Sequence, residues 1–393
     1  MAELPATLAG AAWTAREDLA RLVRALGPDN VRWVGGAVRD TLLSKPVHDI
    51  DAATRLRPDE VVDRLDAAGI RTVPTGIEHG TVTALLPDGK VEVTTLRRDV
   101  STDGRRATVA FADDWHQDAA RRDFTINALY AHPDTLAVDD YFGGLEDLAA
   151  GRVRFIGDAR QRIREDHLRI LRYYRFQGRF GGTLDAEAEE ACAELASTLQ
   201  GLSRERVAAE LLNLLGLADP APTVARMQAR GVLPFVLPEA GEAGVAQLAD
   251  LVAHERAQEV PPDALRRLAS LLPPDRRLAE LVAARLRLST TQRKRLALAA
   301  DREGTPEPAR ALAYRLGKGE ATDRLLLTGR EVTDLNGWDV PSFPLKGGTI
   351  VAAGVNAGPE VARILQAVEA RWVAEGFPDA ARVERLLANE LAN

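Results

Sequence analysis

Two aspartates near the N-terminus have the type and spacing needed for metal-assisted phosphoryl chemistry. Asp49 and Asp51 lie in VHDIDAAT (47–54), a segment whose pattern predicts a β-strand. Alternate residues of a strand point the same way, so both carboxylates should share one face of the sheet. Two neighbouring anions repel each other unless something positive lies between them. The pair therefore indicates a metal site, and the ordinary alternative is a solvated sheet edge or a salt-bridged pair.

A glycine pair and an arginine ahead of these aspartates supply groups that can hold phosphate. Gly35 and Gly36 lie between a predicted strand and a predicted helix, where the backbone can approach an anion closely and the helix N-terminus adds partial positive charge. Arg39, on that helix, can fork onto phosphate oxygens. Phosphates beside paired carboxylates are what two-metal phosphoryl transfer requires. Because Mg²⁺ prefers carboxylate oxygens and substrate phosphates, we expect Asp49 and Asp51 to hold magnesium.

A third carboxylate is expected on a neighbouring strand. Glu92 in VEVTTL (91–96) lies between two valines and so faces the opposite side from them. It is the best candidate, although an exposed strand glutamate is the ordinary alternative. The doublet His48-Asp49 also suggests a metal phosphohydrolase of the HD type, which needs further histidines upstream on helices. His48 is the first of the six histidines, so the sequence argues against that chemistry and predicts a strand-edge residue without a catalytic role.

Two arginine-rich segments complete the set of candidate residues. DAARRDFTINALY (118–130) puts Arg121, Arg122 and Asp123 at the start of a predicted helix whose apolar residues can pack against the sheet. A helix cap with a salt bridge would explain the same residues. REDHLRILRYYRF spaces four polar residues by three along one predicted helix, namely Asp166, Arg169, Arg172 and Arg175. The surrounding window 151–180 holds nine arginines against three acids in a chain with a net charge of −7.

The elements that must position these residues are mixed in the first third and helical afterwards. At 393 residues the chain is too long for one core, so we expect two to four domains in a globular, soluble protein. A single cysteine, Cys192, excludes an internal disulfide and a cysteine-based zinc site, and a reducing cytoplasm is the expected compartment. From about residue 158 onward nearly everything reads as helix. The first third predicts helices at 15–26, 37–45 and 58–69, strands at 31–34 and 47–54, and a hairpin of 81–86 with 91–96.

Four motifs together carry a resemblance to a known family. GGAVRD, DID, RRDFTINAL and EDHLRILR, in this order and at these spacings, resemble the motifs of class II tRNA nucleotidyltransferases. This is the CCA-adding branch of the superfamily that also contains bacterial poly(A) polymerases. The match covers roughly residues 31–215, where SRERVAAELLNLL (203–215) resembles the family's neck helix.

The resemblance implies a fold class, α+β. A small N-terminal nucleotidyltransferase sheet domain of the polymerase β type would be followed by an all-α neck, body and tail. The implied boundaries are a catalytic head at 1–152, a neck for nucleotide selection and RNA binding at 153–215, a body at 216–330 and a tail at 331–393. The segment 96–115 occupies the place of the flexible loop that these enzymes use when switching from C to A. Its full length disfavours an enzyme that adds only C.

The resemblance also implies a role for each candidate residue. The residues expected to bind the incoming nucleotide are Gly35, Gly36, Arg39, Arg122, Asp123, Asp166, Arg169, Arg172 and Arg175. The expected catalytic carboxylates are Asp49, Asp51 and Glu92, of which Asp49 and Asp51 would hold Mg²⁺.

The base-reading role implied for Asp166 and Arg169 agrees with hydrogen-bond chemistry. Cytosine and adenine both present an amino donor beside a ring-nitrogen acceptor, whereas uracil and guanine present a carbonyl acceptor beside an N–H donor. A carboxylate only accepts hydrogen bonds and a guanidinium only donates them. Asp166 one helical turn from Arg169 would therefore pair with C and A, and would leave unpaired buried groups against U and G. No nucleic-acid template would be needed.

The function implied is rebuilding of the 3′-CCA end of tRNA from CTP and ATP by a magnesium-dependent nucleotidyltransferase. The expected partner is the tRNA acceptor end, whose 3′-hydroxyl would attack the α-phosphate while pyrophosphate leaves. No membrane partner is expected and no protein partner is evident.

Three alternatives stay open at this point. They are a poly(A) polymerase of the same superfamily, an enzyme that adds only A, and a non-catalytic RNA-binding protein with a decayed head. The intact pair Asp49 and Asp51 argues against a decayed head, since such a site has no reason to keep adjacent like charges. The net charge of −4 over residues 331–393 argues against poly(A) synthesis, because holding a moving RNA backbone requires basic residues.

Overall fold

The chain forms two compact units. The computed structural model describes residues 7–103, 106–302 and 307–392. The first unit ends at Pro238 and the second begins at Glu239. The first contains the sheet and the second is helical, which confirms the predicted α+β organisation. The head, neck, body and tail boundaries remain predictions.

The strands of the first unit build one mixed sheet and one small ribbon. The strands are β1 (Val31–Val34), β2 (Ile50–Thr54), β3 (Arg71–Gly76), β4 (Thr81–Leu86), β5 (Gly89–Thr95), β6 (Arg97–Asp103), β7 (Arg106–Phe111), β8 (Leu129–Ala131) and β9 (Val138–Asp140). The main sheet has the order β3-β4-β5-β2-β1-β8-β9. The pair β2–β5 is parallel, and the other neighbours are antiparallel.

The helices of the first unit lie between and after these strands. They are α1 (Glu17–Leu26), α2 (Gly36–Leu42), α3 (Pro58–Ala67), α4 (Trp115–Ala120), α5 (Gly144–Ala149), α6 (Ala159–Glu165), α7 (Arg169–Phe180), α8 (Ala186–Glu194), α9 (Arg204–Leu215), α10 (Ala221–Ala229) and α11 (Leu233–Val236). The periodic patterns behind α1, α2 and α3 and the hairpin β4–β5 are confirmed, as is the helix at 203–215, which Ser203 caps.

The second unit contains the remaining helices that the structure describes. They are α12 (Glu242–Ala257), α13 (Ala264–Ser270), α14 (Arg276–Arg285), α15 (Thr290–Ala300), α16 (Ala309–Leu316), α17 (Lys318–Leu327), α18 (Gly347–Ala352), α19 (Pro359–Ala374) and α20 (Ala380–Leu391). Apolar side chains fill its core, among them Leu325 and Trp372. Within the described ranges, no helix has the length and apolarity needed to cross a membrane.

The segment after Asp118 differs from its prediction. The residues Arg121, Arg122 and Asp123 follow the end of α4 and do not begin a helix. Beyond them the chain forms a single 3₁₀ turn (Thr125–Asn127) and then strand β8. The reason is local, because the Asp123 carboxylate accepts hydrogen bonds from the Phe124 backbone N–H (2.9 Å) and the Asn127 side-chain amide (3.0 Å). Such bonds compete with helix formation.

Two further predictions concern Asp49 and the segment 96–115. Asp49 lies just before β2, which begins at Ile50, so it is not part of the strand as predicted. The segment 96–115 contains β6 and β7, which pair as an antiparallel ribbon. Gly104 and Arg105, within the segment predicted to be the flexible loop, lie outside the described residues.

The turn between β1 and α2 depends on a glycine. Gly35 has φ +71° and ψ −123°, a conformation that side-chain-bearing residues rarely adopt. Gly36 is the first residue of α2, and a Cβ there would meet its nearest neighbour, Arg39 Nη2, at an ordinary 3.8 Å. A side chain would therefore be strained at position 35 but accommodated at position 36.

We expect Gly35→Ala to lower the free energy of unfolding by roughly 1–3 kcal/mol, because alanine is strained at this φ. Gly36→Ala is the matched control and should be neutral or slightly stabilising, since alanine favours a helix by roughly 0.5–1 kcal/mol. Urea unfolding of both variants checks this. Equal destabilisation by the two substitutions would contradict it.

Candidate active site

A cavity of about 580 Å³ in the first unit gathers most of the predicted site residues. Its walls come from the β1–α2 turn, α2, the residues around the start of β2, the segment after α4, and α7. The lining residues are Gly35, Gly36, Arg39, Asp40, Val47, His48, Asp49, Asp51, Arg122, Asp123, Asn127, Arg172, Arg175, Phe176 and Arg179. The predicted residues Glu92, Asp166 and Arg169 do not line it.

Strand register brings Glu92 beside Asp51. The parallel strands β2 and β5 pair these residues directly, so both side chains lie on the same face of the sheet. Asp51 is half-buried, and burial together with the carboxylates of Glu92 and Asp49 raises its pKa. Glu92 has a partial counter-charge in Lys90, whose Nζ lies 3.3 Å from Oε1. The role of Glu92 as a third carboxylate stays a prediction.

The carboxylates fit a divalent cation. Among the residues that the structure describes, Asp51 has no hydrogen-bond or ion-pair partner. Burial and the neighbouring carboxylates disfavour its charged form. A cation held by Asp49 and Asp51 would offset that repulsion. The described residues contain no cluster of three or more potential metal ligands, so further ligands would have to come from substrate or water. Sharing ligands with substrate phosphates is typical of magnesium.

Tyr130 and Asp118 fix the position of the Arg122 guanidinium. Its Nε donates to the Tyr130 hydroxyl at 2.8 Å, and its Nη2 lies 3.2 Å from Asp118 Oδ2. Tyr130 in turn donates to Asp118 at 2.6 Å. Burial by itself would lower the pKa of Arg122, but Tyr130 and Asp118 raise it. These contacts leave Nη1 next to Gly35, 3.7 Å from where a Cβ on that glycine would lie.

Arg39 is more deeply buried than its predicted role requires. Its guanidinium donates through Nε to Asp40 at 2.9 Å and through Nη1 to Asn127 at 2.5 Å, and its Nη2 lies 2.9 Å from Asp40. It also lies over the ring of Phe180, 4.5 Å from the centroid. All three guanidinium nitrogens therefore have protein partners. Because a guanidinium has five N–H donors, these contacts still leave Arg39 donors for a phosphate.

Three arginines of α7 line the cavity, each paired with a carboxylate from another element. Arg172 donates to Asp123 Oδ2 at 2.8 and 2.5 Å, and Arg175 donates to Glu210 at 2.6 Å. The third is Arg179, which donates to Asp40 at 2.9 Å. Arg179 was counted in the basic window but not predicted as a site residue. Its position seven residues after Arg172, on the same helical face, was the signal that could have identified it.

Asp166 and Arg169 do not lie on one helix. Asp166 ends α6 and Arg169 begins α7, so the prediction that a single helix spaces them is wrong. The Asp166 carboxylate accepts from the Leu168 backbone at 3.1 Å, which stabilises the break, and from Arg206 at 2.7 Å. Arg169 donates to Glu165 at 2.7 Å. Arg206 of α9 is thus a contact of this region that the sequence did not indicate.

The ion pair of Asp123 with Arg172 has a predictable pH dependence. Burial alone would raise the pKa of Asp123, but Arg172 and the Asn127 amide lower it to about 2. Because this value is below the ordinary 3.8, the pair stabilises the protein fully above about pH 4, and the contribution is lost as the pH falls through about 2.

We expect Asp123→Asn to lower the free energy of unfolding by roughly 2 kcal/mol at pH 7, with the difference from the parent shrinking towards pH 2. Urea unfolding between pH 7 and pH 2.5 measures it. Asp63→Asn, at an exposed position of α3, is the control and should differ little from the parent at any pH. A constant difference for Asp123→Asn would contradict the assignment.

Family models match two regions of the chain. Residues 31–154 match the poly A polymerase head domain, and residues 182–243 match the "probable RNA and SrmB-binding site of polymerase A". The first match covers β1 to β9 and therefore the carboxylates and Arg122. The second begins just after α7 and includes α9.

Similar proteins match either nearly the whole chain or about half of it. The mitochondrial CCA tRNA nucleotidyltransferase 1 of Mus musculus is 35% identical over 384 residues, which span 92% of this chain and 87% of that protein. A CCA-adding enzyme of Leuconostoc mesenteroides is 43% identical over 185 residues, 47% of this chain and 45% of that protein. The structure of the Bacillus stearothermophilus CCA-adding enzyme in complex with CTP shares the fold, with a TM-score of 0.74, 23% identity, and coverage of 96% of this chain and 98% of that one. Together with the carboxylate and arginine cavity, these similarities show that the chain belongs to the CCA tRNA nucleotidyltransferase family.

Proposed function

We propose that this protein adds C, C and A to the 3′ end of tRNA, using CTP and ATP and no nucleic-acid template. The observation that carries the proposal is one cavity that is lined both by Asp49 and Asp51 and by the arginines of the site. Carboxylates for a cation on one wall and arginines for phosphates on the other suit transfer of a nucleotide from its triphosphate. Family membership supplies the substrate class.

The proposed roles follow from charge and position. Asp49 and Asp51 would hold divalent cations, with magnesium preferred because it is a hard cation that shares substrate phosphates. Bound metal would neutralise charge on the phosphates and orient the attacking and leaving oxygens. Arg122, Arg172, Arg175 and Arg179 would bind the triphosphate, and Gly35 and Gly36 would let it approach the backbone. The tRNA 3′-hydroxyl attacks the α-phosphate in line, and pyrophosphate leaves.

Base selection would use Asp166 and Arg169 as acceptor and donor. Both now have protein partners, Arg206 and Glu165, which hold the two side chains in separate positions. Reading a base would exchange those partners for the amino group and the ring nitrogen of C or A. The hydrogen-bond chemistry still disfavours U and G. Their carbonyl acceptor would lie opposite the Asp166 carboxylate, which only accepts, and their N–H donor would lie opposite Arg169, which only donates.

A cytoplasmic location is part of the same proposal. Cys192, the single cysteine of the sequence, is buried and free, which suits a reducing compartment. The mouse relative is mitochondrial by name, so localisation by fluorescence or fractionation is the measurement that distinguishes the two.

The deciding experiment uses tRNA that lacks its CCA end, with each nucleoside triphosphate supplied singly and then together. We expect two additions with CTP alone, three with CTP and ATP, and none with UTP or GTP. On unstructured RNA we expect few additions or none. Long A-tracts from ATP on generic RNA would instead support the poly(A) polymerase alternative, and a single A added only to tRNA ending in CC would support an A-adding enzyme.

We expect Asp51→Asn to lower the rate of nucleotide addition at least 100-fold, since loss of a metal ligand should cost several kcal/mol of transition-state stabilisation. Its melting temperature in chelator should equal or exceed that of the parent, because the substitution removes a repulsion with Glu92. Asp63→Asn is the matched control and should retain the parent rate. A rate for Asp51→Asn above about a tenth of the parent's would remove Asp51 from the proposed metal site.

A further inference from the structure

Three cations surround one aromatic ring at the end of α7. The Cζ atoms of Arg39 and Arg179 lie 4.5 and 4.9 Å from the centroid of the Phe180 ring. The Nζ atom of Lys45, in the segment between α2 and β2, lies 4.8 Å from the same centroid. Because an aromatic face attracts cations, this ring brings together positive charge from two distant segments of the chain.

One carboxylate balances this group of cations. Arg39 and Arg179 both contact Asp40, at 2.9 Å each. Among the residues that the structure describes, Lys45 has no carboxylate at ion-pair distance, and its Nζ donates to the backbone carbonyl of Arg179 at 3.4 Å. Three cations and one carboxylate leave these four residues with an excess of positive charge.

Lys45 differs in this respect from the other cations near the site. Arg172 and Arg175 are each paired with a carboxylate, Asp123 or Glu210. The Lys45 side chain is exposed, and its ammonium group is a compact charge on a flexible stem. Within the described ranges, Lys45 can therefore bind an anion without giving up an ion pair.

Lys45 lies beside the candidate active site. It lines a neighbouring cavity of about 650 Å³, and Val47 lines both cavities. Arg179, whose backbone carbonyl accepts from Lys45, lines the candidate active site itself. The site therefore has a cationic extension at its Arg179 end, and the sequence patterns did not indicate Lys45.

The order of residues along α7 indicates which part of a nucleotide would reach this extension. The residues proposed to read the base, Asp166 and Arg169, lie at the start of the helix. Arg179 follows Arg169 at a distance of about 15 Å along the helix axis. A triphosphate bound by the arginines in between would place its terminal phosphate nearest to Arg179 and Lys45.

We propose that Lys45, held against the ring of Phe180, binds the terminal phosphate of the incoming nucleotide and then the pyrophosphate that leaves. The inference rests on the proposed function, which supplies a nucleoside triphosphate as substrate. Lysine suits this role because it binds phosphate as a point charge and needs no bidentate geometry. Phe180 is a positioning residue, since its ring holds Lys45 and Arg179 side by side despite their like charge.

The test measures the binding of CTP, pyrophosphate and CMP by calorimetry, with magnesium and without tRNA. CMP has the base and the sugar but lacks the phosphates that Lys45 would bind. Lys45→Ala removes the cation. Lys318→Ala is the matched control, because Lys318 is also exposed and donates to a backbone carbonyl, that of Trp338, at 2.9 Å.

We expect Lys45→Ala to weaken the binding of CTP and of pyrophosphate about 10-fold, since a hydrogen bond between charged groups is lost. Binding of CMP should change by less than about twofold, and Lys318→Ala should leave all three ligands within about twofold of the parent. Unchanged binding of CTP and pyrophosphate by Lys45→Ala overturns the proposal. An equal loss for CMP also overturns it, because that result would mean general damage to the site.

A second pair of variants tests the role of the ring. Phe180→Leu keeps an apolar side chain but removes the aromatic face, so CTP binding should weaken about threefold while CMP binding is unchanged. Phe155→Leu is the control, because Phe155 is buried and stacks on Tyr173 with ring centroids 6.0 Å apart. Melting temperatures measure the cost of each substitution to stability. An equal loss of CTP binding in the two variants would contradict the positioning role of Phe180.

The binding assay separates this inference from the proposed function. A parent protein that binds CTP through Lys45 yet extends no tRNA would refute only the proposed function. A parent that adds CCA, together with a Lys45→Ala variant that binds CTP and pyrophosphate normally, would refute only the role of Lys45.

Discussion

Arginine–carboxylate pairing is the interaction on which the candidate site depends. Three arginines of α7 reach the cavity, and each is held by a carboxylate that comes from a different element: Asp123, Glu210 or Asp40. A guanidinium has five N–H donors, so a carboxylate along one edge fixes its direction and leaves donors for a phosphate. Loss of one of these carboxylates would free a long side chain and leave its charge uncompensated.

The carboxylate Asp51, at the sheet, has no such partner among the residues that the structure describes. Asp51 lies directly beside Glu92 on parallel strands, and its surroundings raise its pKa. Negative charge is therefore unbalanced at the sheet, whereas each arginine of α7 is paired with a carboxylate. A triphosphate with divalent cations would supply positive charge to the sheet carboxylates and phosphate oxygens to the N–H donors that the paired arginines still have, which is why the geometry suits nucleotide transfer better than a purely structural role.

The second unit shows that burial decides what an arginine does. Arg266 and Arg267 are almost fully buried and share the carboxylate of Glu255, at 2.7 and 2.8 Å. Removing one member of such a network leaves an uncompensated buried charge, so these residues contribute to the specificity of packing. Arg293 on α15 has the same chemistry but is exposed to solvent.

Local pattern by itself determined α1 and the β4–β5 hairpin, because a period of 3.6 or 2 records which side of one element is buried. The shared motifs likewise indicated the family. The breaks at Asp123 and Asp166 depend on local side-chain hydrogen bonds that the periodic pattern does not record, and only the tertiary structure decided which carboxylate holds each arginine. Arg179 and its partner Asp40 are 139 residues apart in the chain, so no periodicity could join them. The excess of arginine in residues 151–180 was visible in the sequence, but its partners come from other segments that folding brings alongside.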